Sequence, residues 1–255
     1  MTKLTGLFPV TLLVALGCTS TAFGALSCTG GFYFSETGTG TGPTAGVPQD
    51  AEACVTITSA TQITVVLQNN VPTLTNNPSV LDGFSFTLSG TSPAATGIAS
   101  VAATNPIFCA TAGSNCVVDS GYYDQGGSSA TLTPSPYEWG LGGNGSVIAV
   151  PASPTFLLVA GDGSLHPFGI VNSSVLTDTP NLNSTGHNDY LEGPVTFNLT
   201  TSGSVTDVDA ATFYFGTAGD AHPGTPGGVP EPTSVLLLGT ALAFAGKLLR
   251  GRLGA

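Results

Sequence analysis

Three histidines, His166, His187 and His222, are the candidates for an imidazole base or a metal ligand. None belongs to a His-Glu-x-x-His zinc motif, and the chain has no Gly-x-Ser-x-Gly elbow for a serine nucleophile. His166 and His222 each precede proline, and His187 follows glycine. Because proline and glycine mark turns, we expect all three histidines to lie in exposed loops.

Two arrangements of carboxylates could support hydrolysis. Asp119-Ser120-Gly121 matches an acid-protease core, but that mechanism needs two carboxylates sharing a proton. The nearest second match, at Asp178, continues with Thr and Pro instead of Thr and Gly. Only a homodimer would supply the second carboxylate, so we interpret Asp119 as part of a turn.

A glycosidase also needs two carboxylates, held at a fixed separation. The nominal carboxylate pairs are Asp189 with Glu192 and Asp207 with Asp209. Trp139, the only tryptophan, is a candidate sugar contact, although a single Trp in a β-domain is more often buried in the core. We predict no catalytic residues and an absence of enzymatic activity.

The charge distribution favours calcium over any other metal. One of the 15 acidic residues is Glu231 near the C-terminus, which leaves 14 in a region without Lys or Arg. A divalent cation would relieve their mutual repulsion. However, no EF-hand loop occurs, and Gly142-Gly143-Asn144-Gly145 matches only the start of a calcium-binding nonapeptide repeat. The sequence predicts no metal site and no cofactor, with calcium kept as a hypothesis.

The elements that must position these residues are strands. Apolar residues alternate with Thr, Ser and Asn, as in antiparallel sheets with one face in water. Clusters of Asn, Pro and Ser at 69–79 and 180–188 predict loops. The predicted fold is all-β, an antiparallel β-sandwich or jelly-roll-like domain with long loops. The alternating segments are 55–58, 63–68, 84–89, 195–200 and 213–215.

Four cysteines remain if an N-terminal signal is removed, and an even number suits an oxidising compartment. Three pairings are available. We favour Cys28–Cys54 and Cys109–Cys116, because each closes a local loop bordered by Gly, Thr or Asn. A zinc site is the alternative, but the chain has no Cys-x-x-Cys and lacks the closely spaced pairs of zinc modules.

Residues 1–24 have the organisation of a secretory signal peptide. Lys3 forms a short positive region, residues 7–17 are apolar apart from Thr11, and Ala22-Phe23-Gly24 gives the small-x-small pattern that signal peptidase requires. We predict cleavage after Gly24. The alternatives are an uncleaved anchor, for which the apolar run is short, and a lipoprotein cysteine at Cys18.

Residues 229–255 form a tail with three parts. A rigid Pro-x-Pro spacer precedes an apolar run at 235–246, and a basic stop follows. The apolar stretch 233–249 is 17 residues long, at the lower limit for a membrane-spanning helix. The spacer residues are Val229, Pro230, Glu231 and Pro232, and the basic residues are Lys247, Arg250 and Arg252.

This tail resembles the PEP-CTERM sorting signal of Gram-negative bacteria that make extracellular polysaccharide. The resemblance implies recognition of Pro230, Glu231 and Pro232 by an exosortase, an integral membrane protease or transpeptidase. It covers about a tenth of the chain and implies no activity for the rest. An ordinary C-terminal anchor with an incidental Pro-Glu-Pro is the alternative. A GPI signal would end apolar, without the terminal basic residues.

The four Lys and Arg residues, Lys3, Lys247, Arg250 and Arg252, lie only at the two ends. Without cations the region between them has no counterion-release affinity for nucleic acid, and the positive-inside rule keeps both basic ends cytoplasmic. We predict a signal peptide (1–24), an exported β-domain (25–228) and a sorting tail (229–255). The expected product is a non-enzymatic surface or matrix protein, processed by signal peptidase and exosortase and associated with exopolysaccharide. A carbohydrate-binding module or glycan-active enzyme is the alternative.

Overall fold

A computed structural model describes residues 26–41, 44–74, 76–109, 116–118, 139–141, 155–160, 169–177, 182, 189–216 and 219–227. These residues form thirteen strands and two short 3₁₀ helices, Asn77–Ser79 and Ser173–Leu176. The strands are β1 Phe32–Thr39, β2 Pro48–Ser59, β3 Gln62–Asn69, β4 Leu81–Ala102, β5 Asn105–Phe108, β6 Val117–Val118, β7 Gly140–Leu141, β8 Thr155–Val159, β9 Gly169–Val171, β10 Asp189–Glu192, β11 Val195–Phe215, β12 Asp220–Pro223 and β13 Thr225–Gly227.

All thirteen strands belong to one hydrogen-bonded sheet, which confirms the all-β prediction. The main path runs β13-β1-β2-β3-β11-β4-β9-β10-β5-β6, while β12 pairs with β11 and the β7–β8 hairpin joins β4. The sheet is mixed, because β9 and β10 run parallel whereas the other pairs are antiparallel. The purely antiparallel arrangement that we predicted is therefore wrong at β9 and β10.

A long ribbon of β4 and β11 forms the centre of this sheet. The two strands pair from Leu81↔Phe215 to Ala102↔Thr196, and six register shifts interrupt the ladder. At one end β11 also pairs with β3, and at the other β4 pairs with β8 and β11 with β12. Each end of the ribbon thus belongs to a different group of strands.

The core follows the period-two pattern of the sequence. Along β3, buried residues alternate with partly exposed ones, and Ile63, Val65 and Leu67 are fully buried. The main cluster combines these side chains with Phe34 from β1, Phe197 from β11 and residues from both ends of the ribbon. The predicted strands at 55–58, 63–68 and 84–89 are confirmed within β2, β3 and β4.

A second cluster lies under the loops that follow β3 and β9, and it includes Val171, Val175 and Tyr190. Buried Asn69 organises this region, since its amide donates to the carbonyl oxygens of Ser79 (2.8 Å) and Ile170 (3.0 Å). Its own oxygen accepts from the backbone nitrogen of Val71. The loop predicted at 69–79 is confirmed at residues 70–74, whereas Asn69 closes β3 and Asn77–Ser79 forms a 3₁₀ helix.

Several predicted features lie outside the described residues. They are the signal peptide (1–24), the sorting tail (229–255), Asp119, Asp178, His166, His187, residues 142–145 and most of the 180–188 loop. In the part of the chain that the structure does describe, no helix has the length and apolar character needed to cross a membrane.

Candidate functional site

Two disulfides hold the described chain, and they are the two pairs that the sequence favours. Cys28 bonds to Cys54, which ties the segment before β1 to β2, and Cys109 bonds to Cys116 between β5 and β6. All four cysteines are buried. Because the first bond joins the segment before β1 to β2 and the second joins the end of β5 to the start of β6, their role in this fold is structural.

The single tryptophan lies in the core. Trp139 is 2 % exposed, and its ring centroid lies 4.8 Å from that of Phe197 in a tilted contact. An indole that packs in this way offers no open face to a sugar ring. The candidate sugar contact at Trp139 is therefore corrected to a core position, because an indole buries more apolar surface than most other side chains.

The nominal glycosidase pairs do not form a shared site. Asp189 and Glu192 are three residues apart in β10, so their side chains extend to opposite faces of the sheet. Asp207 and Asp209 are exposed on the irregular part of β11. Asp207 accepts a hydrogen bond from the backbone nitrogen of Val208, and Asp209 accepts one from the hydroxyl of Ser89.

The densest polar arrangement in the described residues lies between β12 and the β1–β2 connection, and we call it the Asp220 cluster. The carboxylate of Asp220 accepts hydrogen bonds from the backbone nitrogen (2.9 Å) and hydroxyl (3.0 Å) of Thr41. It also accepts from the hydroxyl of Thr44 (2.6 Å) and the amide of Gln49 (3.3 Å). The cluster consists of Glu36, Thr41, Thr44, Gln49, Asp220 and His222.

His222 occupies the other side of this cluster, contrary to the exposed loop that we predicted for it. It lies in β12 with its side chain 12 % exposed. Its Nδ1 atom lies 3.1 Å from an oxygen of Glu36, and its Nε2 atom lies 3.5 Å from an oxygen of Asp220. The aromatic ring of Phe215 meets the imidazole in an edge-on contact. Pro223, the residue after His222, is the last residue of β12, but it does not expose the histidine.

Hydrogen bonding governs the charge of Asp220. Burial alone would raise the pKa of this carboxyl, but the hydrogen bonds from Thr44, Thr41 and Gln49 lower the pKa well below its usual range. The carboxylate therefore stays ionised. Polar donors thus replace Lys and Arg as its partners.

The chemistry available in the Asp220 cluster is limited to holding a proton. An imidazole between two carboxylates has the parts of an acid–base relay. However, the hydroxyls of Thr41 and Thr44 both donate to Asp220, so neither is directed at the imidazole as a nucleophile. This geometry fastens β12 to the β1–β2 connection and gives no support to hydrolysis.

Sequence reasoning missed most of this cluster. Asp220 and His222 are two residues apart, and in a strand that spacing places both side chains on one face. This spacing could have indicated from the sequence that Asp220 and His222 share one face of a strand. Glu36, Thr41, Thr44 and Gln49 lie more than 170 residues earlier, and only tertiary structure brings them to β12.

A second group of acidic side chains lies on the outer face of β2. Asp50 and Glu52 lie on the same side of this strand, and Ala51 between them faces the core. Glu52 accepts a hydrogen bond from the backbone nitrogen of Leu26 at 2.6 Å. Burial raises the pKa of Tyr33, which shares a hydrogen bond with Glu52. Burial and the charges of Glu52 and Glu36 raise the pKa of Asp50 to about 6.

Among the described residues, no set of three or more His, Cys, Asp or Glu side chains is arranged to hold a metal ion. The calcium hypothesis thus has no assigned ligands in this part of the chain.

No protein-family model matches the chain, and searches of the curated proteins and of the solved structures likewise gave no match.

Proposed function

We propose that this chain is an exported, non-enzymatic protein of the cell surface or extracellular matrix. In this proposal a signal peptide directs export, the C-terminal helix holds the protein at the inner membrane, and an exosortase then processes the tail. The observation that carries the proposal is the order of parts at the C-terminus, where Pro230-Glu231-Pro232 precedes an apolar run and a basic end. Two disulfides in the body support an oxidising destination.

The body of this protein is proposed to be a two-layered sandwich. Support comes from the main core cluster, in which Phe34 and Val65 lie together with Phe84 and Phe213. These residues belong to strand groups at opposite ends of the β4–β11 ribbon. A ribbon that bends at its register shifts would bring the two groups face to face around one core.

Processing is tested by replacing Pro230, Glu231 and Pro232 together with Ala. We expect the variant to accumulate in the membrane fraction at the unprocessed mass, because the protease loses its recognition motif. Pro226→Ala, an exposed proline four residues before the motif, is the matched control and should be released normally. Cell fractionation measures the location of the two variants, and mass spectrometry measures their mass. Normal release of the triple variant would refute the proposal.

Association with exopolysaccharide is the second part of the proposal. A polar row without charge crosses the sheet, since Thr64 donates to Asn198 (2.9 Å) and Asn198 donates to Ser100 (2.8 Å). Asn198 and Ser100 are exposed. Such a row suits the hydroxyls of a neutral glycan. We expect wild-type protein to be retained on polysaccharide from the producing cells and Asn198→Ala to be retained less. If the wild-type protein and Asn198→Ala both eluted in the void volume of the polysaccharide column, this binding would be excluded.

A further inference from the structure

His222 and Gln49 each have a buried polar atom without a hydrogen-bond partner in the described part of the chain. These atoms are Nε2 of His222 and the side-chain oxygen of Gln49, and both belong to the Asp220 cluster. Gln49 is fully buried, and its amide nitrogen lies 3.3 Å from Asp220. Because buried polar atoms nearly always have partners, two such atoms beside one carboxylate indicate that the cluster accommodates a further group.

The contact with Glu36 determines which nitrogen of His222 carries the proton of the neutral ring. Nδ1 lies 3.1 Å from a Glu36 oxygen, and a carboxylate can only accept a hydrogen bond, so Nδ1 is the donor. In the neutral imidazole Nε2 then has a lone pair. Nε2 lies 3.5 Å from Oδ1 of Asp220, which is also an acceptor. Since the oxygen of Gln49 is a third acceptor, the group that completes this arrangement is a cation.

The surroundings favour a cation from outside the chain. Glu36 and Asp220 are both acidic, and Asp50 lies near Glu36 on the neighbouring strand β2. Residues 4–246 contain no Lys or Arg that could supply a positive charge. A site of this kind raises the local concentration of small cations. The side chains of His222 and Asp220 are each 12 % exposed, so the pair lies close to solvent.

The separation of the two facing atoms indicates the kind of ion. Zinc binds nitrogen and oxygen ligands at about 2.1–2.2 Å, so two ligand atoms at the tetrahedral angle lie about 3.5 Å apart. The right angle of a square-planar Cu²⁺ or Ni²⁺ site would bring the two atoms to about 3.0 Å. The observed 3.5 Å between Nε2 of His222 and Oδ1 of Asp220 matches the tetrahedral value.

The hydrogen bond from the other ring nitrogen is typical of a metal-binding histidine. Such a histidine usually donates its second N–H to a carboxylate, a carbonyl or water, which orients the ring and makes the ligand nitrogen more basic. Glu36 has this position relative to His222. The ring of Phe215 also contacts the imidazole edge-on. Glu36 and Phe215 therefore hold Nε2 towards Asp220.

We propose that the Asp220 cluster binds one Zn²⁺ ion through Nε2 of His222 and Oδ1 of Asp220, with Glu36 as the positioning residue. For catalysis the cluster can only hold a proton, but the lone pair that takes up this proton can bind zinc instead. Two ligands of this type agree with the absence, in the described residues, of any set of three. Water and the oxygen of Gln49 complete the coordination. The ion would join β12 to β1, whether or not the tail is processed.

The test uses the full-length exported protein, purified in mild detergent without a His-tag and freed of metal by dialysis against a chelator. Isothermal titration calorimetry at mildly alkaline pH measures Zn²⁺ binding, because fewer protons then compete for Nε2. Co²⁺ is the spectroscopic probe, since a four-coordinate cobalt complex absorbs visible light far more strongly than a six-coordinate one. His222→Ala removes a ligand, Glu36→Gln keeps an acceptor for Nδ1 without its charge, and His187→Ala is the control. Circular dichroism checks that each variant folds.

We expect the wild-type protein and His187→Ala to bind one Zn²⁺ per chain and to give the intense cobalt spectrum. His222→Ala should lose this binding, and Glu36→Gln should bind about 10- to 100-fold more weakly. If His222→Ala does not fold, Glu36→Gln decides by the same measurement. A wild-type protein that binds no zinc, or an unchanged affinity in His222→Ala or Glu36→Gln, would overturn the proposal. A weak, six-coordinate cobalt spectrum would overturn the tetrahedral geometry on which the choice of zinc rests.

Discussion

Asp220 shows how a single carboxylate is accommodated where the chain offers no Lys or Arg. Its oxygens accept four hydrogen bonds, from Thr41, Thr44 and Gln49, and His222 is the nearest group that can become cationic. Hydrogen bonds to a charged acceptor are stronger than those between neutral groups. The residue therefore stabilises the contact between β12 and the β1–β2 connection without a permanent ion pair.

Asp220→Ala should destabilise the protein by about 2–3 kcal/mol, because four hydrogen bonds to a charged acceptor are lost. The hydrogen bonds lower the pKa of Asp220 in the folded state. Its contribution is therefore present above the ordinary Asp pKa of about 3.9 and is lost as the pH falls below it. Urea unfolding between pH 3 and pH 7 measures this dependence. Asp209→Asn is the exposed control, and an Asp220→Ala protein with unchanged acid sensitivity would contradict the prediction.

At the scale of the element, the β4–β11 ribbon departs most from the expected strands. The alternation at 195–200 and at 213–215 predicted two separate strands, whereas the structure joins them in the 21 residues of β11. The middle of β11 is rich in Thr, Ser and Asp and has no clear alternation. Pairing with β4 along its whole length extends the strand through this polar segment.

Gly203 is a position in the ribbon where a side chain should be poorly tolerated. Its φ of +75° is in the left-handed region, and a Cβ there would meet the backbone oxygens of Thr91 and Ser92. Gly203→Ala should cost about 2–4 kcal/mol, from the unfavourable φ and the displaced strand. Gly97→Ala is the matched control, because a Cβ there would lie 3.4 Å from the Thr200 hydroxyl. Thermal unfolding compares the two, and equal midpoints would contradict this account.

At the scale of the whole molecule, charge and covalent cross-links act together. A body with 14 acidic residues and no Lys or Arg gains no general electrostatic attraction on folding. The buried core, the polar donors around Asp220 and the two disulfides stabilise it instead. Such a chain depends on the redox conditions of the compartment in which it folds.

Removing the disulfides one at a time should reveal their unequal contributions. Cys28 and Cys54 are 26 residues apart, and Cys109 and Cys116 are 7 apart. By the loop-closure estimate, replacing the first pair with Ser costs about 3.5 kcal/mol and replacing the second about 2.4 kcal/mol. Urea unfolding of the two double-Ser variants measures this, with wild-type protein before and after reduction as the reference. Identical stability of oxidised and reduced protein would contradict it.

Several features of this protein follow from the sequence alone. The period-two alternation determined the all-β class and the strands around Ile63 and Phe84, because one buried face leaves the same pattern in any sheet. The local spacing of the cysteines favoured the pairs that the structure forms. The sorting tail remains a prediction from its motif.

Tertiary structure decided the rest. It placed Trp139 in the core. It set Asp189 and Glu192 on opposite faces of β10 and left Asp207 and Asp209 exposed on β11. It also joined Glu36 to His222 and Gln49 to Asp220. It held Leu26 against Glu52 as well. These contacts connect residues far apart in the chain, and their energies depend on which strands pair. Local alternation does not specify that pairing.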